Sequence, residues 1–406
     1  MSGAILTLNA GSSSLKFALF DALLAPILRG EIEGIDRTPH LTAHDAMGST
    51  LPDLHWSRTP ATFGSILSDL LVMVRARAGP CGLASAGHRI VHGGMDHIGP
   101  ARITPALMTA LEALVPLDPL HLPHNLAPAR ALAGLLPDLP QVACFDTAFH
   151  HTIPPRAQTV PVPRAIRDLG VRRYGFHGLS YEYIAARLKL EAPMLARGRV
   201  IVAHLGAGAS LCALHGGISL ATTMGFSTLD GLIMATRCGS IDPGVILYLA
   251  RQGHGVAEIE DMLYHRSGLL GLSGLSGDMR VLLDSQDADA VAAIDQFTYR
   301  IAVELAGMVS ALGGIDGVVF TAGIGERSAP IRSAICARLT WLGLQIDAGA
   351  NAAGKSCIAA PGSTVDIRVI ATNEEAMIAS HTRDVVARSS ADQGSSGASS
   401  GTRGEA

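Results

Sequence analysis

Two segments of the chain combine an apolar run, a turn of small residues and a second apolar run. They cover residues 5–17 and 200–211, with turns at 11–14 and 206–208. Apolar runs that meet at small residues predict β-hairpins. Consecutive exposed N–H groups in such turns form a concave phosphate site. Two ordinary tight turns are the alternative, but the repetition and Lys16 beside the first turn favour phosphate binding.

Two further strand ends carry candidate site residues. Residues 142–145 predict a short buried strand that ends on Asp146. A carboxylate at the carboxyl end of a strand stands where α/β proteins bind ligands, although an aspartate that caps the next turn is equally common. Strand 318–321 runs into a third glycine turn at 322–326. That turn could pass close to a nucleotide or be a tight strand-to-helix connection.

Metal and disulfide chemistry have weaker signals. Histidines 88, 92 and 97 are closely spaced and histidines 121 and 124 follow, but no HExxH motif or Cys/His ligand set accompanies them, which disfavours zinc there. Six cysteines are scattered without a CxxC pair. This pattern predicts free thiols in a reducing compartment.

Composition limits the class of function. A chain of 406 residues suggests two or three domains. With 48% hydrophobic residues, 16% charged residues and a net charge of −4, nothing indicates nucleic acid or an anionic membrane as a partner, so small substrates are expected. No basic n-region, cleavable apolar segment or apolar run near eighteen residues is present, so we expect a cytoplasmic protein.

Helix-like and strand-like stretches alternate between the hairpins, which predicts an α/β fold. The prolines of 154–163 predict an extended connector at a domain boundary, and the Ser/Gly-rich segment 389–406 predicts a disordered tail. Helices are predicted over 63 to about 79, from the Thr104 cap through 114, from a Ser180 cap through 190, and from 294 to 312.

Neither a G-x-G-x-x-G turn of the dinucleotide-binding type nor a G-x-x-x-x-G-K-[ST] P-loop occurs. What remains is a duplicated domain with a phosphate hairpin in each half. This architecture suits ATP held between two lobes.

In a series of short sequence segments that follow one another in the same order, the chain resembles the acetate and propionate kinase family of the actin-like ATPase superfamily, up to about residue 385. The matching blocks are residues 9–17, 88–94, 119–125, 145–150, 173–178, 204–208, 224–237, 275–280, 320–326 and 372–375. The resemblance implies an α/β fold of two duplicated RNase H-like (actin-like ATPase) domains with an interdomain active-site cleft. It implies an N-terminal lobe of 1–150 completed by 372–388, a nucleotide-binding lobe of 151–371, and a homodimer.

The reaction that the resemblance implies is reversible phosphoryl transfer between ATP and acetate, giving ADP and acetyl phosphate, with Mg²⁺ and with Mn²⁺ as an alternative. A carboxylate is ionised at pH 7, so this nucleophile needs no general base. Its difficulty is repulsion by the charged phosphoryl group, which cations on the equatorial oxygens relieve.

Site residues follow from the matched blocks. Arg89 would bind the substrate carboxylate, Arg237 and His177 would stabilise the transferring phosphoryl group, and Asp146 would orient the Mg²⁺ and substrate network. Arginine suits both oxyanions because its fork matches their oxygens. The other matches assign Asn9 and Glu374 to the metal, Val91, Leu120 and Phe176 to the acetate methyl, and Lys16, His204, Leu205, Gly206, Ala207, Gly208, Asp278, Met279, Arg280, Gly323, Ile324, Gly325, Glu326 and Arg327 to the nucleotide.

Three residues depart from the family pattern. Ala207 replaces the usual Asn of the second turn, Thr228 replaces a Pro at the edge of the acyl pocket, and Ala221 replaces an Asp. The choice of acid therefore stays open, since one methylene in an apolar pocket discriminates by only about 1–3 kcal/mol.

Three other functions remain as alternatives. They are a propionate or butyrate kinase, a sugar or glycerol kinase with Asp146 as general base, and a non-catalytic ATP-binding chaperone or scaffold. The pair Arg89 and Arg237 favours an anionic acceptor.

Overall fold

The computed structural model describes residues 3–11, 13–56 and 63–397. Ser12 of the first predicted turn and residues 398–406 of the predicted tail lie outside them. The chain forms two compact units, one of Met1–Ala148 with Asn373–Ala406 and one of Phe149–Thr372. In the described part of the chain, no helix combines the length and apolar character needed to cross a membrane.

The first unit is built on an eight-stranded sheet in the order β5-β4-β3-β2-β1-β6-β8-β7. Its strands are β1 (Ala4–Ala10), β2 (Ser14–Phe20), β3 (Pro26–Glu33), β4 (His40–Asp45), β5 (Leu54–His55), β6 (Leu83–Ile90), β7 (Ala101–Arg102) and β8 (Gln141–Phe145). Its helices begin with α1 (Phe63–Arg77), α2 (Pro105–Ala113) and α3 (Leu122–Leu135). One face of α1, formed by Ile66, Leu67, Leu70, Leu71 and Val74, is buried in the core that the sheet covers.

The second unit is built on a five-stranded sheet in the order β11-β10-β9-β12-β13. Its strands are β9 (Arg199–Leu205), β10 (Ala209–His215), β11 (Ile218–Thr222), β12 (Gly317–Thr321) and β13 (Asp366–Val369). Its helices are α4 (Pro155–Gln158), α5 (Arg164–Arg167), α6 (Gly178–Glu191), α7 (Pro243–Arg251), α8 (Val256–His265), α9 (Gly268–Ser273), α10 (Met279–Asp284), α11 (Ala288–Leu312), α12 (Ala322–Arg327), α13 (Ala329–Ala337) and α14 (Ala348–Ala352).

The two sheets repeat one pattern. Five strands of the first sheet, in the order β3-β2-β1-β6-β8, correspond to β11-β10-β9-β12-β13 of the second. In both sheets the first hairpin is antiparallel, and a later strand, β6 or β12, pairs parallel with the hairpin's first strand. The predicted hairpins and the duplicated α/β fold are therefore confirmed.

The last helix, α15 (Glu374–Gly397), belongs to the first unit. Its residue Ala379 is buried with Ile5, Ala18 and Phe20 of the first hairpin. The structure differs here from the predicted tail, since this helix covers residues 389–397. A helix that packing has nucleated extends at little further cost, even through residues of low apolar content.

Two other local predictions are wrong. Ser180 does not cap α6, because the helix begins at Gly178 after His177, whose φ of +59° lies in the left-handed region. Ser180 therefore lies in the first helical turn. The proline-rich stretch is not simply extended, since α4 lies within it and α5 begins directly after Pro163. Proline favours the first turn of a helix, where its missing N–H is not needed.

A buried histidine predicts acid sensitivity. His88 on β6 is 1% exposed, and its Nε2 lies 2.7 Å from Gln141 Oε1. Burial, partly offset by that hydrogen bond, lowers the pKa of His88 from 6.5 to about 4. The unfolded chain binds the extra proton first, so stability is present above about pH 6.5 and is lost as the pH falls toward 4.

Between pH 7.5 and pH 5, the unfolding free energy of His88→Gln should fall by about 2 kcal/mol less than that of the wild type. Urea denaturation at the two pH values measures the difference. The control is His254→Gln, because His254 is exposed and pairs with Glu258 at the surface. An unchanged pH dependence in His88→Gln would contradict the prediction.

Candidate active site

Four predicted site residues of the first unit meet at one edge of its sheet. Asn9 lies in β1 and Arg89 in β6, Asp146 directly follows β8, and Glu374 is the first residue of α15. Because β1, β6 and β8 are adjacent and parallel, their carboxyl ends lie side by side. In α/β proteins this edge is where ligands bind.

Arg89 is the centre of this group. Its Nη2 donates to the fully buried carboxylate of Asp146, its Nη1 lies 3.4 Å from Asn9 Oδ1, and its Nε lies 3.9 Å from Glu374 Oε2. Burial alone would lower the pKa of Arg89, but the nearby charges of Asp146 and Glu374 more than offset this and raise the pKa. The guanidinium is a permanent cation held in a fixed orientation.

The same group offers hard oxygen donors. Asn9 Nδ2 donates to Glu374 Oε2 at 3.3 Å, which fixes the amide beside the carboxylate. Amide and carboxylate oxygens are the ligands that Mg²⁺ prefers. Burial, followed by the nearby charge of Glu374, raises the pKa of Glu375. Lys16 pairs with Asn9 across the hairpin.

Asn125 supports this edge, and the sequence analysis assigned it no role. Its Oδ1 accepts from Val91 N at 2.7 Å and its Nδ2 donates to Ala10 O at 2.6 Å. It thus ties the end of β1 to the residue after β6. The signal that could have indicated it is a buried asparagine on an otherwise apolar helix face. Of the predicted acyl-pocket residues in this unit, Val91 is buried and Leu120 is half-buried.

The second unit places His177 and His204 together. Their rings stack with centroids 4.1 Å apart and planes 16° apart. Ser210 Oγ lies 2.9 Å from His177 Nδ1 and also contacts the Tyr181 hydroxyl at 2.5 Å. These contacts fix the His177 ring. Phe176, the third predicted acyl-pocket residue, directly precedes His177 in the chain and is buried.

A hydrogen-bond chain supports His204. Ser180 Oγ lies 2.8 Å from His204 Nδ1 and 2.8 Å from Thr372 Oγ1. Glu326 Oε1 accepts from the backbone N of Thr372 at 3.0 Å and of Ala322 at 2.8 Å. Ala322 has a φ of +64°, and the Glu326 carboxylate holds that backbone in place. The sequence analysis missed Ser180 in this role because it was interpreted as a cap.

His177 and Arg237 converge on the turn at 206–208. A Cβ atom at Gly208 would lie 3.2 Å from His177 Nε2 and 3.9 Å from Arg237 Nη1. Ala207 O accepts from Ala235 N at 3.0 Å, so the segment that carries Arg237 is bound to the turn. Arg237 itself donates to Thr228 O at 3.2 Å, and its guanidinium lies over the Tyr264 ring at 6.0 Å.

The crowding at Gly208 gives a second prediction. Gly208→Ala should lower kcat/KM by about ten-fold or more, because the added methyl displaces His177 or Arg237 by some tenths of an ångström. Steady-state kinetics test it. Gly307→Ala is the control, since a Cβ there meets nothing within 4 Å. Equal activity in the two variants would show that the turn tolerates a side chain.

The remaining predicted nucleotide residues divide by exposure. Leu205, Met279 and Gly325 are buried. Asp278 caps α10 and pairs with Arg280 at 2.6 Å. Gly323 and Arg327 are exposed on α12, and Ile324 is half-buried.

The fold, the group of residues around Arg89 and the residues around the turn at 206–208 together define a phosphotransferase on duplicated RNase H-like domains. The model of the acetokinase family matches residues 4–380, and the chain belongs to this family. Its members include acetate kinases from Rhodopseudomonas palustris (strain ATCC BAA-98 / CGA009), 49% identical over 94% of this chain and 98% of the relative, and from Methylocella silvestris, 45% identical over the same shares.

Solved structures agree. A propionate kinase from Francisella tularensis matches with a TM-score of 0.87 and 35% identity, and covers 95% of this chain and all of its own. The acetate kinase of Porphyromonas gingivalis matches with a TM-score of 0.84 and 33% identity over the same shares. The chain is thus a phosphotransferase with a carboxyl group as acceptor.

Proposed function

We propose that this protein transfers the γ-phosphoryl group of ATP reversibly to acetate, giving ADP and acetyl phosphate. An acetate oxygen bonds to the γ-phosphorus while the bond between that phosphorus and the β–γ bridging oxygen breaks. The observation that carries the proposal is Arg89, a buried, oriented guanidinium among Asn9, Asp146 and Glu374. The names of the relatives agree with it.

In this proposal the first unit binds the acceptor. The Arg89 fork matches two carboxylate oxygens, which an ammonium group cannot do. Val91 and Leu120 of this unit contact the methyl group. Asp146 is not a general base, because the nucleophile is already ionised and because this carboxylate is engaged with Arg89. Its task is to orient that guanidinium.

The second unit acts on the phosphoryl group. Arg237 and His177 converge on the turn at 206–208, whose backbone amides bind the nucleotide phosphates in this proposal. Placed there, they neutralise charge on the transferring group as it separates from ADP. The stacking of His204 and the contact with Ser210 hold the His177 ring, so little reorganisation is needed during reaction.

We propose Mg²⁺ as the metal, held by Asn9 and Glu374 with Asp146 beside them. Mn²⁺ has similar ligand preferences and is the expected substitute. When bound, the ion would neutralise part of the phosphate charge. The oxygen-only donor set supports this choice.

The test is an assay with ATP, Mg²⁺ and either acetate, propionate, butyrate or glycerol, with hydroxylamine to trap acyl phosphate and ADP followed in parallel. Hydroxamate formed best with acetate supports the proposal. An optimum with propionate or butyrate would show a wider pocket on the Thr228 side. ADP formed with glycerol and no hydroxamate would overturn the carboxylate acceptor.

We also propose a homodimer located in the cytoplasm. Helix α7 is apolar yet has no buried residue, and its Leu247 and Tyr248 are more than half exposed. A second copy of the chain is the expected cover. The six cysteines, which all lie in the described part of the chain, form no disulfide, as expected of a reducing compartment. Light scattering should give a dimer for wild type and a monomer for Leu247→Glu/Tyr248→Glu, with Val72→Glu, an exposed site on α1, as control.

A further inference from the structure

The outer edge of the first sheet carries two histidines and an aspartate on one face. His40 of β4 stands opposite His55 of β5, and Leu41 stands opposite Leu54. Leu41 is fully buried. Because side chains alternate between the two faces of a strand, His40 and His55 share the face that points away from the core. Asp53 precedes His55 by two residues and joins them there.

The donor atoms of these three side chains are close together. The imidazole rings stack with centroids 4.2 Å apart and planes 5° apart. Because a bound ion lies in the plane of each imidazole, the exposed His55 ring turns out of this stack when both nitrogens bind one ion. His40 Nε2 lies 3.4 Å from Asp53 Oδ2, and one donor atom from each of the three residues lies within 4.8 Å of the others. Two ligands bound at about 2.1 Å with a tetrahedral angle between them lie about 3.4 Å apart. The His40–Asp53 distance already equals that separation.

His40 Nε2 is buried, and its 3.4 Å contact with Asp53 does not have the geometry of a hydrogen bond. A buried polar atom without a hydrogen bond is costly and requires a reason. Glu33 of β3 stands opposite His40 on its other side, which adds a negative charge to the neighbourhood. An imidazole nitrogen, a carboxylate and a second imidazole form a donor set for a borderline transition metal, unlike the oxygen-only set near Arg89.

The end of β5 that carries His55 is also held in place, by two hydrogen bonds of Trp56. Trp56 N donates to Pro39 O at 3.2 Å, which closes the strand pair next to His40 and His55. The Trp56 indole donates to Asp69 on α1 at 2.7 Å. These bonds fix the short strand β5 on the sheet edge. Such fixation lowers the entropy that the ligands lose when an ion binds.

We propose that His40, Asp53 and His55 bind one Zn²⁺ ion, with water as the fourth ligand. Both imidazoles bind in the neutral form. The ion joins β4 to β5, a strand of only two residues at the sheet edge, where few backbone hydrogen bonds are available. The site is separate from the proposed catalytic metal. Of the residues that the structure describes, this is the group of histidine, cysteine and acidic side chains with suitable spacing for a metal.

The test is calorimetric titration of ZnCl₂ into the untagged, EDTA-treated protein at pH 7.5, with excess Mg²⁺ present to occupy the catalytic site. One Zn²⁺ should bind per chain with a Kd below about 10 μM. His40→Ala, His55→Ala and Asp53→Asn should each weaken binding by about ten-fold or more. Zn²⁺ should raise the Tm of wild type and not that of His55→Ala.

Two control variants distinguish binding at this site from binding elsewhere on the chain. His44→Ala removes a histidine of the same strand that contacts Thr50 and should bind Zn²⁺ normally. Glu374→Gln should also bind normally, which excludes the catalytic metal site. Co²⁺ in place of Zn²⁺ should give the strong visible absorption of a tetrahedral complex, lost in His55→Ala. Absence of binding to wild type, or unchanged binding in both histidine variants with native circular dichroism, would overturn the proposal.

Discussion

Arg89→Ala should reduce acyl phosphate formation by about 10³-fold or more and lower the free energy of unfolding by about 3–5 kcal/mol. The stability loss arises because Asp146, which is 0% exposed, would lose the cation that compensates it. The activity loss follows from the proposed function, in which the substrate carboxylate binds the Arg89 fork. Urea denaturation and the hydroxamate assay measure the two effects separately.

A double variant distinguishes them. Arg89→Ala/Asp146→Ala should recover part of the stability, because the buried carboxylate is gone, and none of the activity. Arg130→Ala is the matched control, since Arg130 pairs with Glu112 while both are nearly half exposed. It should change stability by no more than about 1 kcal/mol and leave activity intact. Recovery of activity in the double variant would contradict the role of Arg89.

The parts of the fold that could be predicted from sequence are those that local patterns determine. Alternating apolar runs around small-residue turns indicate both hairpins, and the three- and four-residue spacing of 63–74 indicates α1. The Thr104-Pro105 pair marks the start of α2, and the structure confirms that Thr104 Oγ1 accepts from Leu107 N.

What could not be predicted depends on contacts far apart in the sequence. A serine near the start of a helix has the same local signal whether it caps the helix or, like Ser180, contacts His204 and Thr372. The stacking of His177 on His204 requires α6 and β9 to be adjacent. The group of His40, Asp53 and His55 depends on the register of β4 with β5, which the sequence alone does not specify.

That the charged and polar residues around Arg89 form one group also could not be predicted from the sequence. The sequence indicated Arg89, Asp146, Asn9 and Glu374 one at a time through matched blocks. The fold shows why they belong together, since three of them lie at adjacent strand ends and Glu374 begins the helix that returns to this unit. The hydrogen bonds of Asn125 to Val91 and Ala10 became apparent only with that arrangement.

Arg237→Lys should lower kcat by about 10²–10³-fold with little change in the KM for acetate or in stability. Lysine keeps the positive charge but lacks the fork that contacts Thr228 O and extends toward the turn at Gly208. An interaction made mainly in the transition state affects kcat, whereas one that binds the acceptor equally in both states affects KM. Steady-state kinetics with acetate and ATP varied in turn provide the measurement.

The comparison with Arg89→Lys makes this result diagnostic. If Arg89 binds the acceptor, Arg89→Lys should raise the KM for acetate, because a point charge replaces a bidentate contact. Arg266→Lys is the control for Arg237, because Arg266 is a more exposed arginine of the same unit, paired with Asp261. A rise in KM without loss of kcat in Arg237→Lys would move Arg237 from the transferring phosphoryl group to ground-state binding. His177 would then be the one remaining residue proposed to stabilise the transferring phosphoryl group.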